Sequence, residues 1–164
     1  MLLRALSCAY HRLGSMHNAL VRRLSLTFSS LRSFVMCIIS YNCENATIQV
    51  KGKLKSVILD SCTKTNLVFE TAISSCELVN CKRMQIQSTG SCPSYSIDKT
   101  DGCLIYLSAE AASVSNFVTS KSSEMNVSWT DEKTGEQKEA PIPEQFVHRL
   151  VDGVISSDVS DLYH

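Results

Sequence analysis

Apolar and polar side chains alternate one for one through Thr47-Ile48-Gln49-Val50 and through Met84-Gln85-Ile86-Gln87, the pattern of strands with one buried and one solvent face. Similar short stretches recur at intervals of about ten residues, and they predict strands over 47–50, 57–59, 67–69, 76–79, 84–87, 95–97, 104–107, 114–117 and 124–129. Almost no helix-period pattern interrupts them. Cys43, Cys62 and Cys81 are equally spaced along this run, and aligning them brings Ile48, Leu67 and Ile86 into one column. A period of about 20 residues marks stacked coils, in which each turn buries its apolar side only against its neighbours. An antiparallel sandwich also has regular short strands, but nothing in it keeps residues in step from one turn to the next. The expected fold class is all-β, a parallel β-helix with two strands per coil on facing sheets.

Polar residues fill the corners between the strands. Asn42 and Asn80 stand immediately before their cysteines, where asparagine tolerates a left-handed backbone and caps its neighbours. Gly52, Gly90 and Gly102 mark further turns. Beyond residue 130 the chain leaves the repeat, polar through Asp131 to Glu139 and then Pro141-Ile142-Pro143, and is expected to return as a capping strand pair, with Trp129 and Phe146 packing at the end of the stack.

Charge divides the chain unevenly. Residues 1–43 hold Arg4, Arg12, Arg22, Arg23 and Arg32 with no Asp or Glu, so the remainder has a balance of about −5, which argues against nucleic acid as a partner. No run of 18 apolar residues exists, and no membrane span is expected. Residues 1–36 read as a separate leader, disordered or loosely helical, whose composition also fits an organelle-targeting peptide or a replaced upstream exon. The eight cysteines lack a C-x-x-C pair, and His11, His17, His148 and His164 lie outside the repeats. The cysteines therefore read as reduced core thiols, with no metal and no cofactor.

Six blocks in one order resemble the carboxy-terminal domain of the cyclase-associated proteins: Ile48-Gln49-Val50-Lys51-Gly52-Lys53, Ile58-Leu59-Asp60-Ser61-Cys62-Thr63-Lys64, Leu67-Val68-Phe69, Ser96-Ile97-Asp98-Lys99-Thr100-Asp101-Gly102-Cys103, Ser122-Ser123-Glu124-Met125-Asn126-Val127 and Pro141-Ile142-Pro143-Glu144-Gln145-Phe146. The resemblance covers about residues 37–164. It implies a right-handed β-helix that binds monomeric actin, with the ADP form preferred, and promotes exchange of ADP for ATP. It also implies a homodimer formed by exchange of a carboxy-terminal hairpin, and a cytoplasmic, cytoskeleton-associated location. The stretch around Asp152-Gly153 looks like that hairpin, with Val151, Val154, Ile155 and Val159 as its dimerisation residues. The amino-terminal helical domain, the proline-rich linkers and most of the first coil expected of the family have no counterpart here, and Tyr163-His164 depart from the usual tail.

Within that resemblance, the lysines Lys51, Lys53 and Lys55, with Lys64 one coil later, are candidate contacts for an acidic actin surface. The same lysines equally suit a sheet edge kept from pairing by charge. Asp98, Lys99 and Asp101, around Thr100, form the loop that best matches the family. Ser122, Ser123, Glu124 and Asn126 alternate around Met125 and Val127, which places their polar side chains outward on a half-buried strand. No catalytic constellation is visible, so the chain is not read as an enzyme. Exchange on a partner needs only tighter binding to the partner's open state.

Two alternatives belong to other classes. Tubulin cofactor C and its relatives share the β-helix and stimulate GTP hydrolysis through an arginine, for which Arg83 is the candidate here. A truncated fragment retaining only the dimerisation hairpin is the other. The expected division is a leader over 1–36, a β-helix over 37–146 and a hairpin with its tail over 147–164.

Overall fold

The computed structural model describes residues 3–7, 22–27 and 37–161. Its strands are β1 (Leu3–Ser7), β2 (Arg22–Thr27), β3 (Cys37–Tyr41), β4 (Ala46–Asp60), β5 (Asn66–Val79), β6 (Lys82–Ser88), β7 (Ser94–Asp98) and β8 (Asp101–Leu107). A single helical turn and a half, α1 (Ala109–Val114), precedes β9 (Asn116–Ser120), β10 (Ser123–Thr130), β11 (Gln137–Pro141), β12 (Phe146–Val151) and β13 (Val154–Val159). Strands β2, β4, β5, β6, β8 and β10 pair in parallel along one face, and β1, β3, β4, β5, β7 and β9 along the other. Strands β4 and β5 serve both faces, and irregularities after Val50 and Leu54 mark where they bend. The architecture is the expected β-solenoid.

Period 19 arises at one corner of every coil. Asn42, Ser61, Asn80, Lys99 and Lys121 all have positive φ, and so do Asn45, Lys64, Arg83, Gly102 and Glu124 three residues later. Two left-handed residues per coil turn the chain sharply from one face to the other. Between each such pair lies a buried or half-buried donor. Cys43, Cys62 and Cys81 direct Sγ to the carbonyl two residues earlier, at 3.7, 3.4 and 3.3 Å. Thr100 and Ser122 do the same with their hydroxyls, at 3.1 and 2.9 Å. The column thus runs through five coils; its chemical requirement is a small X–H donor, which cysteine, threonine and serine each meet.

Inside, equivalent residues stack. Ile48, Leu67, Ile86, Ile105 and Val127 form one ladder on the first face, and Ile38, Val57, Cys76, Tyr95 and Phe117 form another on the second. Nearly all of these are buried; Phe117 is half-buried and packs against the core. Each fully buried Leu or Ile contributes about 1.5–3 kcal/mol. The seven described cysteines are free thiols, and all but Cys37 are buried. Ser40 interrupts the ladder that continues through Leu59, Leu78 and Ile97, and its buried Oγ has no hydrogen-bond partner. Ser40→Ala is therefore expected to raise stability by about 1 kcal/mol, because an unsatisfied hydroxyl is removed. Urea unfolding of the two proteins checks this, and a fall in stability would count against it.

Three expectations need correction. The leader was expected to lack strands, yet β1 pairs with β3 and β2 with β4, setting Leu24 and Leu26 opposite Ile48 and Val50. The physical reason is the open edge of the first coil, whose N–H and C=O groups take strand partners, and the Leu-Ser-Leu alternation that suits it. The rest of the leader lies outside the described residues. Second, the strand expected over 114–117 begins at Asn116, because Val114 ends α1. Ser108 caps that helix, accepting from Ala111 N–H at 3.0 Å and donating to the Gly90 carbonyl at 2.8 Å. Third, Phe146 does not pack on the end of the stack; it is 49% exposed. Trp129, Phe117, Leu107, Ile142 and Pro143 instead line an apolar groove of about 340 Å³ there.

The chain returns to the end of the stack as one antiparallel strand, β11 on β10, where a pair was expected. After it, β12 and β13 form a two-stranded hairpin around Asp152 and Gly153, with φ of 50° and 79°. Two positive φ values are what a two-residue turn between right-twisting strands requires.

Candidate functional site

The structure separates the candidate contacts into two groups. Lys51, Lys53 and Lys55 are exposed on the side of the solenoid where β4 bends between its two faces. One coil later that side presents Glu70, whose carboxylate accepts the Gly52 N–H at 2.7 Å. Lys64 does not join them. It stands on the left-handed corner with Asp98, Lys99, Asp101, Ser122, Ser123 and Glu124, and Asn126 follows where the next strand leaves that corner.

This corner forms a ridge along the solenoid, held by backbone hydrogen bonds between successive coils. Lys64 N–H donates to the Lys82 carbonyl at 2.8 Å, Lys82 N–H to Cys62 at 2.9 Å, Asp101 N–H to Cys81 at 3.0 Å and Ser123 N–H to Thr100 at 3.0 Å. Side chains add to it. Ser122 Oγ accepts from Thr100 N–H at 3.0 Å and faces the Ile97 carbonyl at 3.1 Å, so this serine is a structural strut. Ser123 Oγ donates to Asp101 at 3.2 Å across the surface. Asn126 donates to Glu139 of β11 at 2.8 Å, and Glu124 N–H donates to the Glu144 carboxylate at 3.0 Å.

Beside the ridge lies a shallow depression of about 250 Å³ lined by Arg83, Gln85, Gly102, Leu104, Glu124 and Asn126. Gly102 creates it. At this level of the corner column the neighbours carry Arg83 and Glu124, whereas glycine, at φ 78°, leaves the space between them open. Of the lining residues, only Glu124 and Asn126 are contact candidates from the sequence; Arg83 is the arginine of the cofactor C alternative, and Gln85 and Leu104 figure in the sequence only as strand residues. The 19-residue register, extended from Arg83 through Gly102, was the available signal. Met84 and Cys103 form the floor. Burial pushes the Cys103 thiol up to about 12, so it is protonated and not nucleophilic at neutral pH. What the depression offers chemically is a cation, a carboxylate and two amides at the rim of an apolar floor, a surface for binding a polar group.

Among the described residues no group of three His, Cys, Asp or Glu side chains is placed to hold a metal ion. None of the described helices is long and apolar enough to cross a membrane.

The profile of the family described as "Adenylate cyclase associated (CAP) C terminal" matches residues 29–162. The chain belongs to this family. An adenylyl cyclase-associated protein of Dictyostelium discoideum is 50% identical over 107 residues, which is 65% of this chain and 23% of that protein. Adenylyl cyclase-associated protein 2 of Homo sapiens is 46% identical over 106 residues, 65% of this chain and 22% of the relative. The chain thus spans less than a quarter of the curated relatives it matches. A crystal structure of cyclase-associated protein from Cryptosporidium parvum aligns with a TM-score of 0.76 and 34% identity, covering 85% of this chain and 84% of that one. The resemblance read from six sequence blocks was therefore correct, and the family match begins within the leader, before residue 37.

Proposed function

We propose that this CAP C-terminal chain is a binding module for monomeric actin that prefers the ADP form, promotes exchange of ADP for ATP and so regulates filament turnover in the cytoplasm. Family membership over residues 29–162 carries the reading. The corner ridge and its depression support it: they form a surface fixed by inter-coil hydrogen bonds, as a protein acting by differential binding requires. The lysine trio on the far side offers a second surface of positive charge.

The test is release of a fluorescent nucleotide from ADP-bound monomeric actin in the presence of the full chain. Faster release is expected; unchanged release with a folded protein rejects the reading. Two variants apportion the effect. Lys51→Ala, Lys53→Ala and Lys55→Ala together are expected to weaken actin affinity roughly tenfold, on the order of 1.4 kcal/mol, through slower encounter. Glu124→Ala with Arg83→Ala is expected to reduce the exchange rate at saturating protein. Equal activity of the lysine variant at low ionic strength would show that trio to be a sheet-edge device alone.

We further propose that the chain works as a homodimer through β12 and β13. Every residue of both strands is exposed. Val151 pairs with Val154, Ile155 with Leu150 and Val159 with Phe146, so apolar side chains occupy both faces of a hairpin that its own solenoid leaves uncovered.

A further inference from the structure

Three thiols of the corner column are stacked on successive coils. Thr63 N–H donates to the Cys43 carbonyl at 2.8 Å and Lys82 N–H to the Cys62 carbonyl at 2.9 Å, so the coils are in direct contact at this column. Parallel neighbours in such contact stand about 4.8 Å apart. That spacing falls within the roughly 4.4–6.8 Å between Cα atoms that a disulfide bridges, and a small tilt of the two in-register side chains toward each other brings their Cβ atoms to the roughly 3.5–4.5 Å that the bond requires. Cys62 Sγ lies against the Ser40 and Asp60 carbonyls at 3.7 and 3.4 Å, and Cys81 Sγ against Leu59 and Val79 at 3.6 and 3.3 Å. The two thiols occupy equivalent positions one coil apart, each one residue before the parallel bridge that pairs Thr63 with Lys82.

We propose that Cys62 and Cys81 are a peroxide-oxidisable pair that closes into a disulfide pinning the corner of one coil to the next. Interaction between the neighbouring thiols raises Cys62 and draws Cys81 below its ordinary value, which favours Cys81 as the attacking sulfur. Its thiolate attacks one oxygen of hydrogen peroxide, the O–O bond breaks, hydroxide leaves and Cys81 becomes a sulfenic acid. The Cys62 sulfur then attacks the Cys81 sulfur, the S–O bond breaks, and the departing hydroxide takes the Cys62 proton as water. In sum two thiols are oxidised and one peroxide is reduced to two waters.

Burial sets the selectivity. Cys62 and Cys81 have no exposed surface, which favours a small oxidant over a bulky disulfide. Cys76, Cys92 and Cys103 are all shifted upward by burial, so their thiols are poorer nucleophiles. The bond would lie directly beneath Lys64 and Arg83, which follow the two cysteines on the ridge.

The test treats the reduced full chain with hydrogen peroxide under native conditions, then unfolds it, alkylates the remaining thiols and digests it with trypsin. The expected product is peptide 56–64 joined to peptide 65–82, lighter by two hydrogens than their sum, together with an upward shift in the thermal midpoint of the oxidised protein. Cys81→Ser, which keeps the X–H donor that Ser122 and Thr100 supply in this column, is expected to abolish the joined peptide, and Cys76→Ser to leave it. The proposal is overturned if Cys62 is recovered alkylated, if the joined peptide survives Cys81→Ser, or if protein oxidised in urea gives the same yield as native protein.

Discussion

Tyr95→Ala is expected to cost about 4 kcal/mol of folding stability, the largest effect of any single substitution considered. Tyr95 is fully buried in its ladder, with Cys76 on one side and Phe117 on the other. Its ring stacks on Phe117 with centroids 5.3 Å apart and planes 15° from parallel. Its hydroxyl donates to the buried Ser88 Oγ at 2.9 Å, joining one face of the coil to the other through the core. Burial pushes the phenol well above its ordinary pKa, so the group remains a neutral donor throughout the accessible pH range. Truncation removes the ring and leaves a cavity, whereas Tyr95→Phe keeps the packing and forfeits only the hydrogen bond, at about 1–2 kcal/mol. Urea denaturation of the three proteins separates these contributions. Equal destabilisation by Phe and Ala would mean that the hydroxyl, and not the ring, holds the coil together.

Leu150→Asp combined with Ile155→Asp is expected to convert the dimer proposed above into a monomer, raising the dissociation constant by at least a hundredfold, about 3 kcal/mol. These two residues are cross-strand partners, 71% and 61% exposed, and any partner that covers the hairpin buries them together. The solenoid contributes nothing to their packing, so its unfolding transition should be unchanged. Sedimentation equilibrium reads the association and circular dichroism the fold. A monomeric parent chain, or a double variant that still dimerises, would exclude the hairpin as the interface.

Much of this fold was legible because a solenoid writes its geometry into the sequence as a period. Ile48, Leu67 and Ile86 do stack, and Asn42 and Asn80 do adopt left-handed conformations. Asp152-Gly153 announced its turn for the same reason, since few residue pairs tolerate two positive φ values. The column beyond Cys81 was not legible by residue identity, because the position requires a small donor and Thr100 and Ser122 satisfy it without resembling cysteine. Helix α1 escaped notice because its length is a turn and a half, too short for periodicity to register; Ser108 ahead of Ala109-Glu110-Ala111 was its only mark. The strands of the leader were hidden by composition, since arginine content says nothing about whether Leu24 and Leu26 will meet an open edge.

The candidate site was harder, and the reason is spatial. Lys51 and Lys64 belong to adjacent coils but to different sides of the prism, and only a complete assignment of corners tells them apart. The depression depends on what Gly102 lacks, and an absent side chain is read only against the column it interrupts.

The step between successive corners is 19 residues up to Lys99 and Gly102, then 22 to Lys121 and Glu124. The three extra residues fall in the coil that contains α1, away from the ridge, and the ridge itself shows no break. Its pitch is set by the distance between hydrogen-bonded strands, about 4.8 Å per coil, and not by how much chain each coil uses. Five levels therefore mark out a ruler of roughly 19 Å with even graduations. Coils of this kind can lengthen or shorten on their far side during evolution while a partner that reads the ridge meets its contacts at the same intervals.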